Sequence, residues 1–365
     1  MHMLPTLACS LTLMMHAKNV EAAQPGQGAA VRTQSQGDIP HNCSSTYRYS
    51  HLTNSEGLGS QLHRLLTLYA LHGVGNRAFD LETYLQGPVK VAHITQAAPL
   101  DARHITRPTE ADDVRAFILS VVRTAADAIS IARLPAPERI LTFYELGPSM
   151  GKCVSPNTTI LVTSLAGLMY RELHSYERQE HGALIRRNMR AFVIALRSHL
   201  LARALPEDAV VVHLRLGDMA RKYPDEMHRY AAEVPRIIRA LRSTLHHAGP
   251  LFVHSDSPEN ATSFLGGVPH TLMPADTPVL RVLADMAHAH TLVISRSTLG
   301  MLSFWAGSQQ LVISQMGRSM EKRMRFTESF LAGNIEGPAR RRIMSSVALL
   351  SQSSLEVGSP TQTHT

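Results

Sequence analysis

The chain has 365 residues, 44% of them hydrophobic and 18% charged, with a formal net charge of +7. That length buries one large core or two ordinary ones, so two domains are expected in an ordinary globular protein. The basic balance favours anionic partners, yet scattered arginines and only 5% aromatic residues offer neither a basic stripe nor a stacking platform, which argues against nucleic acid.

Residues 1–23 hold an apolar run from Met3 to Met15, broken by Pro5, Thr6, Ser10 and Thr12, and then the small residues Ala22 and Ala23. This resembles a secretory signal peptide or a short signal anchor, although no positive charge precedes the run. The run is too short and too polar to read as a full membrane span, so any membrane attachment is expected through this anchor alone. Asn42-Cys43-Ser44, Asn157-Thr158-Thr159 and Asn260-Ala261-Thr262 fit the N-glycosylation pattern and point the same way, towards the secretory pathway, the Golgi or the ER lumen. Of the three cysteines, Cys9 lies in the leader; Cys43 and Cys153 are either one disulfide or two free thiols. No cysteine or histidine spacing suggests zinc, and His246 and His247 read as a solvated helix end. Residues 24–46, rich in Gln, Gly and Ser, read as a flexible stem.

A first domain is expected over residues 47–205. Its opening feature, Asn54 to Gly75, carries Leu62, Leu65, Leu66, Tyr69 and Ala70 at helical spacing, with Gly57 and Gly59 directly before the helix. Such glycines either admit an anion to backbone N–H groups at a helix N-terminus or simply form a turn. Strands are expected over Val89–Ile94 and Ile140–Leu146, and long helices over Ala111–Leu134 and Arg178–Ala204, the latter with Arg186, Arg187 and Arg190 in solvent.

From Pro206 to Gly317 strands and helices alternate. Strands are expected at Val210–His213, Leu251–Val253, His270–Met273, Leu292–Ile294 and Leu311–Ile313. The intervening helices lie within Asp225–His247, around Glu259–Leu265, and over Pro278–His288 and Leu299–Trp305. That rhythm implies a parallel sheet with helices on both faces. Three strand ends carry polar clusters that would share one carboxyl edge: HLRLGD at His213 to Asp218, HSDS at His254 to Ser257, and SRST at Ser295 to Thr298. Ligands of open α/β sheets bind at that edge. Arg215 suits a phosphate, Asp256 a ribose or base, and Ser297 and Thr298 a phosphate at a helix N-terminus. The same residues also serve as ion pairs, turns and caps. The remainder, residues 318–350, reads as a basic helical tail with a helix over Met320–Ala332, and residues 351–365 as disordered.

HLRLGD resembles the first motif, of HxRRGD type, of the fucosyltransferase superfamily, whose α-1,2, α-1,6 and protein O-fucosyl branches share a GT-B fold. GLGSQL at Gly57 to Leu62 resembles the GGLGNQ motif of the α-1,2 branch, FVHSDS at Phe252 to Ser257 its FxFSDD motif, and Leu283 to Gly307 the family's third motif. The likeness covers about sixty residues, in the family's order. It implies an α/β GT-B protein of two Rossmann-like domains with a donor cleft between them. The implied reaction is an inverting transfer of L-fucose from GDP-β-L-fucose to a glycan or glycoprotein hydroxyl, with no metal or other cofactor required. On this resemblance Arg215 holds the donor diphosphate and supports the departing GDP, while Gly57, Gly59, Gln61, His213, Asp256, Ser297 and Thr298 line the donor site. Glu56 and Asp218 are alternative general bases. The sequence also departs from the family: Leu216 replaces a second arginine, Ser60 an asparagine, and Leu299, Gly300 and Met301 a Phe-Ser-Trp run. A different nucleotide sugar, or a glycan-binding protein with a degenerate site, therefore remain the competing readings.

Overall fold

A computed structural model describes residues 47–51, 58–74, 77–86, 108–135, 139–142, 158–162, 181–217, 221, 223–247, 249–295, 297–315 and 342–357. All of them belong to one unit, Asn42–Thr365. The leader, the stem, all three cysteines, the strand expected at Val89–Ile94, the helix expected at Met320–Ala332, and Glu56, Gly57 and Asp218 lie outside the described residues.

Two parallel sheets organise the unit, as the α/β reading requires. The first has the order β2-β1-β4-β3, with β1 at Tyr47–His51, β2 at Arg77–Phe79, β3 at Arg139–Thr142 and β4 at Thr158–Val162. Its helices are α1 (Leu58–Leu71), α2 (Leu81–Gln86), α3 (Pro108–Ile129) and α4 (Gly182–Ser198). The second sheet runs β10-β9-β8-β5-β6-β7. Its strands are β5 (Val210–Leu214), β6 (Leu251–Ser255), β7 (Thr271–Leu272), β8 (Thr291–Ile294), β9 (Leu311–Ser314) and β10 (Arg342–Ser345). The helices are α5 (Pro224–Thr244), α6 (Pro258–Leu265), α7 (Val279–His288), α8 (Thr298–Ala306) and α9 (Ser346–Val357).

Successive side chains of a strand face opposite ways, and here each face has its own core. Val210, Val212 and Leu214 join Val253, Val293 and Ile313 under α5, α6 and α9. Val211, Leu292, Ile294, Val312 and Ile343 face α7 and α8. That second apolar cluster continues without a break through Leu302 and Trp305 into Leu62, Leu65, Val121 and Phe192 of α1, α3 and α4, so the helices of both sheets share it. At roughly 1.5–3 kcal/mol for each buried large apolar side chain, this shared layer is a major stabilising contact between the two halves. Arg197 adds to it, its guanidinium donating to the Ala306 and Gly307 carbonyls at 2.9 and 3.1 Å and so capping the C-terminus of α8.

Three expectations need correction. The tail is not wholly outside the sheet: β10 pairs with β9 from Arg342↔Leu311 to Ser345↔Ser314, and α9 extends the helical structure to Val357, past the point read as disordered. Leu349 enters the core beneath α5, and Ser346 Oγ donates to Glu233 at 3.2 Å, which holds α9 there. Of the three α4 arginines expected in solvent, Arg187 is exposed, whereas Arg186 and Arg190 are half-buried, and Arg190 Nε lies buried. His246 is exposed as expected, but His247 is half-buried, its ring 4.5 Å from that of His290.

Candidate functional site

The strand order reverses between β5 and β8. From β5 the chain builds outward through β6 and β7, then crosses to β8 and builds the other way through β9 and β10. In open α/β sheets the carboxyl edge at such a reversal is where ligands are received. Arg215 follows β5, Asp256 follows β6, and Ser295, Ser297 and Thr298 follow β8, so all three polar clusters stand on this edge.

Their side chains are differently employed. Leu214 and Leu216 are both buried in the core beneath α5, which leaves Arg215 between them half-buried on the turn. Leu216, standing where the resembled motif has an arginine, is thus an anchor of the turn. Asp256 Oδ1 accepts the Leu216 and Gly217 N–H groups at 2.6 and 2.8 Å. Ser295 Oγ donates to the His213 carbonyl at 3.3 Å, tying the ends of β8 and β5 together. Ser297 caps α8, its Oγ accepting the Gly300 N–H at 3.2 Å. In the HSDS cluster, Ser255 Oγ accepts the Ser257 N–H and Ser257 Oγ donates to Glu259.

His213 and His254 are neighbours in register on β5 and β6. Burial first, then the charges of His254 and Arg215, push the His213 ring down to about 3, so it is neutral in the physiological range. Its Nδ1 is buried and makes no hydrogen bond. His254 Nε2 lies 3.2 Å from Asp285 Oδ2, off the line of a good hydrogen bond. Asp285 Oδ1 is in turn held by Arg281 through Nε at 2.8 Å and Nη2 at 2.7 Å, and Arg281 Nη1 donates to the Ala202 carbonyl. This buried acid and its two partners escaped the sequence reading, in which Pro278–His288 is simply a helix. The i, i+4 spacing of Arg281 and Asp285 is the signal that was there to use.

The first turn of α1 packs directly against the first turn of α8. Ser60 Oγ is 3.4 Å from Thr298 Oγ1, and a Cβ on Gly59 would stand 2.5 Å from the Leu299 nitrogen and 2.8 Å from Thr298 Oγ1. In this structure Gly59 permits the approach of two helices. Because the obstructing atom is backbone, Gly59→Ala is expected to lower the unfolding free energy by about 1–3 kcal/mol in denaturant titration.

Gln61, named by the motif, is buried within α1, only 1% exposed. Indeed α1 is buried all round: His63, Arg64 and Thr67 join Leu62, Leu65 and Leu66 away from water. The expected apolar stripe was only part of this. Leu58, Leu68 and Leu71, outside that stripe, were the available sign.

His63 stacks on Trp305 of α8, ring centroids 5.3 Å apart and planes 15° from parallel. Burial, and then the Arg64 charge, lowers its pKa from 6.5 to about 4. The unfolded chain therefore binds a proton that the native chain refuses between those values. The ring's contribution to stability is complete above 6.5 and is lost as pH falls towards about 4. At a pH of about 5 the loss is roughly 2 kcal/mol. His63→Phe keeps a stacked ring and should remove about that much of the pH dependence, read by unfolding at pH 7.5 and 5. Trp305, the single tryptophan, provides the fluorescence signal.

Fold and edge together define an α/β protein with two parallel, helix-flanked sheets and polar clusters on the carboxyl edge at a strand-order reversal. No protein-family model matches the sequence, and no curated protein matches it. Among solved structures the chain is similar to E. coli heptosyltransferase WaaC with ADP, at 13% identity and a TM-score of 0.35, covering 86% of this chain and 100% of that one. A likeness at that level says nothing about activity. Among the described residues no helix is long and apolar enough to cross a membrane, and no three His, Cys, Asp or Glu side chains gather as a metal site would require.

Proposed function

We propose that the protein is an inverting glycosyltransferase that transfers L-fucose from GDP-β-L-fucose to a hydroxyl of a glycan or glycoprotein. The observation that carries this reading is Arg215 on the turn leaving β5, at the reversal of strand order, beside the capped N-terminus of α8. Diphosphate oxygens are favoured there by a guanidinium and by the positive end of a helix.

In this mechanism the acceptor oxygen attacks the anomeric carbon while the bond to the β-phosphate oxygen breaks. GDP leaves with the bonding electrons, and Arg215 stabilises the charge that gathers on it. Glu56 or Asp218 takes the acceptor's proton. His213, neutral, places no second cation beside Arg215. Residues 206–317 bind the donor and residues 47–205 the acceptor. As the family resemblance implies, no metal or other cofactor takes part, and Arg215 meets the leaving charge. The leader carries the enzyme into the ER and Golgi lumen, as a signal peptide or as an anchor.

One observation favours a second reading. Leu216 is buried in the core, so the motif contributes one cation where the resembled family has two. A donor other than GDP-fucose, or a glycan-binding protein without turnover, would tolerate that loss. GDP release from GDP-fucose by the purified protein, with GDP-mannose and UDP-sugars as controls, separates the three. Turnover confined to GDP-fucose supports the proposal; turnover with another sugar replaces the donor. No turnover and no thermal stabilisation by GDP would make the site degenerate.

A further inference from the structure

Two adjacent main-chain donors converge on one carboxylate oxygen beside Arg215. Leu216 N–H and Gly217 N–H both donate to Asp256 Oδ1, at 2.6 and 2.8 Å. The carboxylate stands just past β6 and its donors just past β5, two strands in parallel register up to Leu214↔Ser255. Hydrogen bonds to an ionised acceptor are about twice as strong as neutral ones, so this pair is a firm tie between the two loops. It also needs room. A Cβ on Gly217 would lie 2.7 Å from Asp256 Oδ2 and 3.0 Å from its Cγ, so any larger residue there would push the carboxylate away. On the turn's opposite side the Leu216 side chain, 5% exposed, is packed in the core. The turn is therefore held by an apolar anchor on one side and a carboxylate on the other.

We infer that Asp256 is a positioning residue, which fixes the turn after β5 so that Arg215 meets the donor diphosphate, and that residue 217 is glycine to admit that carboxylate. The inference rests on the functional reading of Arg215 and changes the part assigned to Asp256. From the sequence this residue reads as a contact to ribose or base; here Oδ1 is engaged by the protein's own backbone.

The two roles separate by ligand. A residue that positions Arg215 governs the phosphates, whereas a nucleoside contact governs the nucleoside as well. Asp256→Ala and Gly217→Ala are each expected to lower kcat with GDP-fucose about a hundredfold, the scale of an ångström-sized misplacement. Both should weaken GDP binding while leaving guanosine affinity, measured by competition, within about twofold of wild type. Asp256→Asn retains an oxygen acceptor and should recover most of the rate. Amide hydrogen exchange at Leu216 and Gly217 should quicken in Asp256→Ala and remain slow in Asp256→Asn.

Guanosine affinity falling in step with GDP affinity would overturn the inference in favour of a nucleoside contact. So would a wild-type rate in Gly217→Ala, or unchanged exchange at the two amides in Asp256→Ala. A wild-type protein that neither binds GDP nor turns over GDP-fucose would instead defeat the functional reading, and with it the purpose assigned to the turn. Quickened exchange in Asp256→Ala would then still show the tie itself.

Discussion

Arg215→Ala is expected to lower GDP release from GDP-fucose by about two to three orders of magnitude, with little change in thermal stability. The size follows from what the guanidinium is proposed to do. A group that meets charge as it develops on a leaving diphosphate contributes more to the transition state than to the bound donor. The loss should accordingly appear in kcat more than in KM. Arg215→Lys keeps the charge but loses the planar fork, and should fall between wild type and alanine. Arg215 is half-buried on a turn whose fold is held by Leu216 and Asp256, so truncating its side chain leaves those anchors in place. An alanine variant as active as wild type would remove Arg215 from the reaction.

The second large effect is on stability. Asp285 is 1% exposed and carries His254 on one oxygen and Arg281 on the other. Removing the acid strands a buried imidazole and a guanidinium whose side chain is only 22% exposed. Breaking such a pair from one side costs about 3–5 kcal/mol; partial solvent access at Arg281 places Asp285→Ala near the lower end. The substitution should also loosen the chain between the two sheets, because Arg281 holds the Ala202 carbonyl and His288 Nε2 lies 3.1 Å from that of Leu201. Denaturant titration measures the first effect and hydrogen exchange over Leu201 to Leu205 the second. Asp285→Asn retains an acceptor for Arg281 and should cost less. An unfolding free energy for Asp285→Ala within about 1 kcal/mol of wild type would show the network to be structurally idle.

Legibility followed the range of the forces involved. The strands β5, β6, β8 and β9 are short apolar runs bounded by turn residues, and the helices between them carry a 3.6-residue apolar period, so both could be read locally. Their alternation implied parallel pairing, and parallel pairing alone puts every strand's carboxyl end on one edge. The grouping of Arg215, Asp256, Ser297 and Thr298 is therefore readable from the sequence alone. Strand β10 was not. Its four residues follow a basic stretch, and their pairing with β9 spans a long separation in sequence, which leaves no local pattern. Helix α9 was missed for a related reason: its SVALLSQSSLEV sequence is weakly amphipathic, and its burial against α5 is what makes it a helix.

The use each site residue is put to was equally hidden. Ser297 and Asp256 are the expected polar types at the expected edge, but hydroxyls and carboxylates bind backbone as readily as ligand. Only the neighbouring loop's geometry decides between them. Gly59 looked like a loop glycine for an anion, and its tight partner proved to be a helix remote in sequence. By itself, then, the sequence determined the α/β class, the parallel rhythm of the second half and the edge on which its polar residues gather, because side-chain period and turn chemistry act over a few residues. Tertiary structure decided the strand order that reverses between β5 and β8, the burial of His63, Arg64 and Asp285, and the partner of Asp256. Those depend on packing and hydrogen bonds between segments tens to hundreds of residues apart.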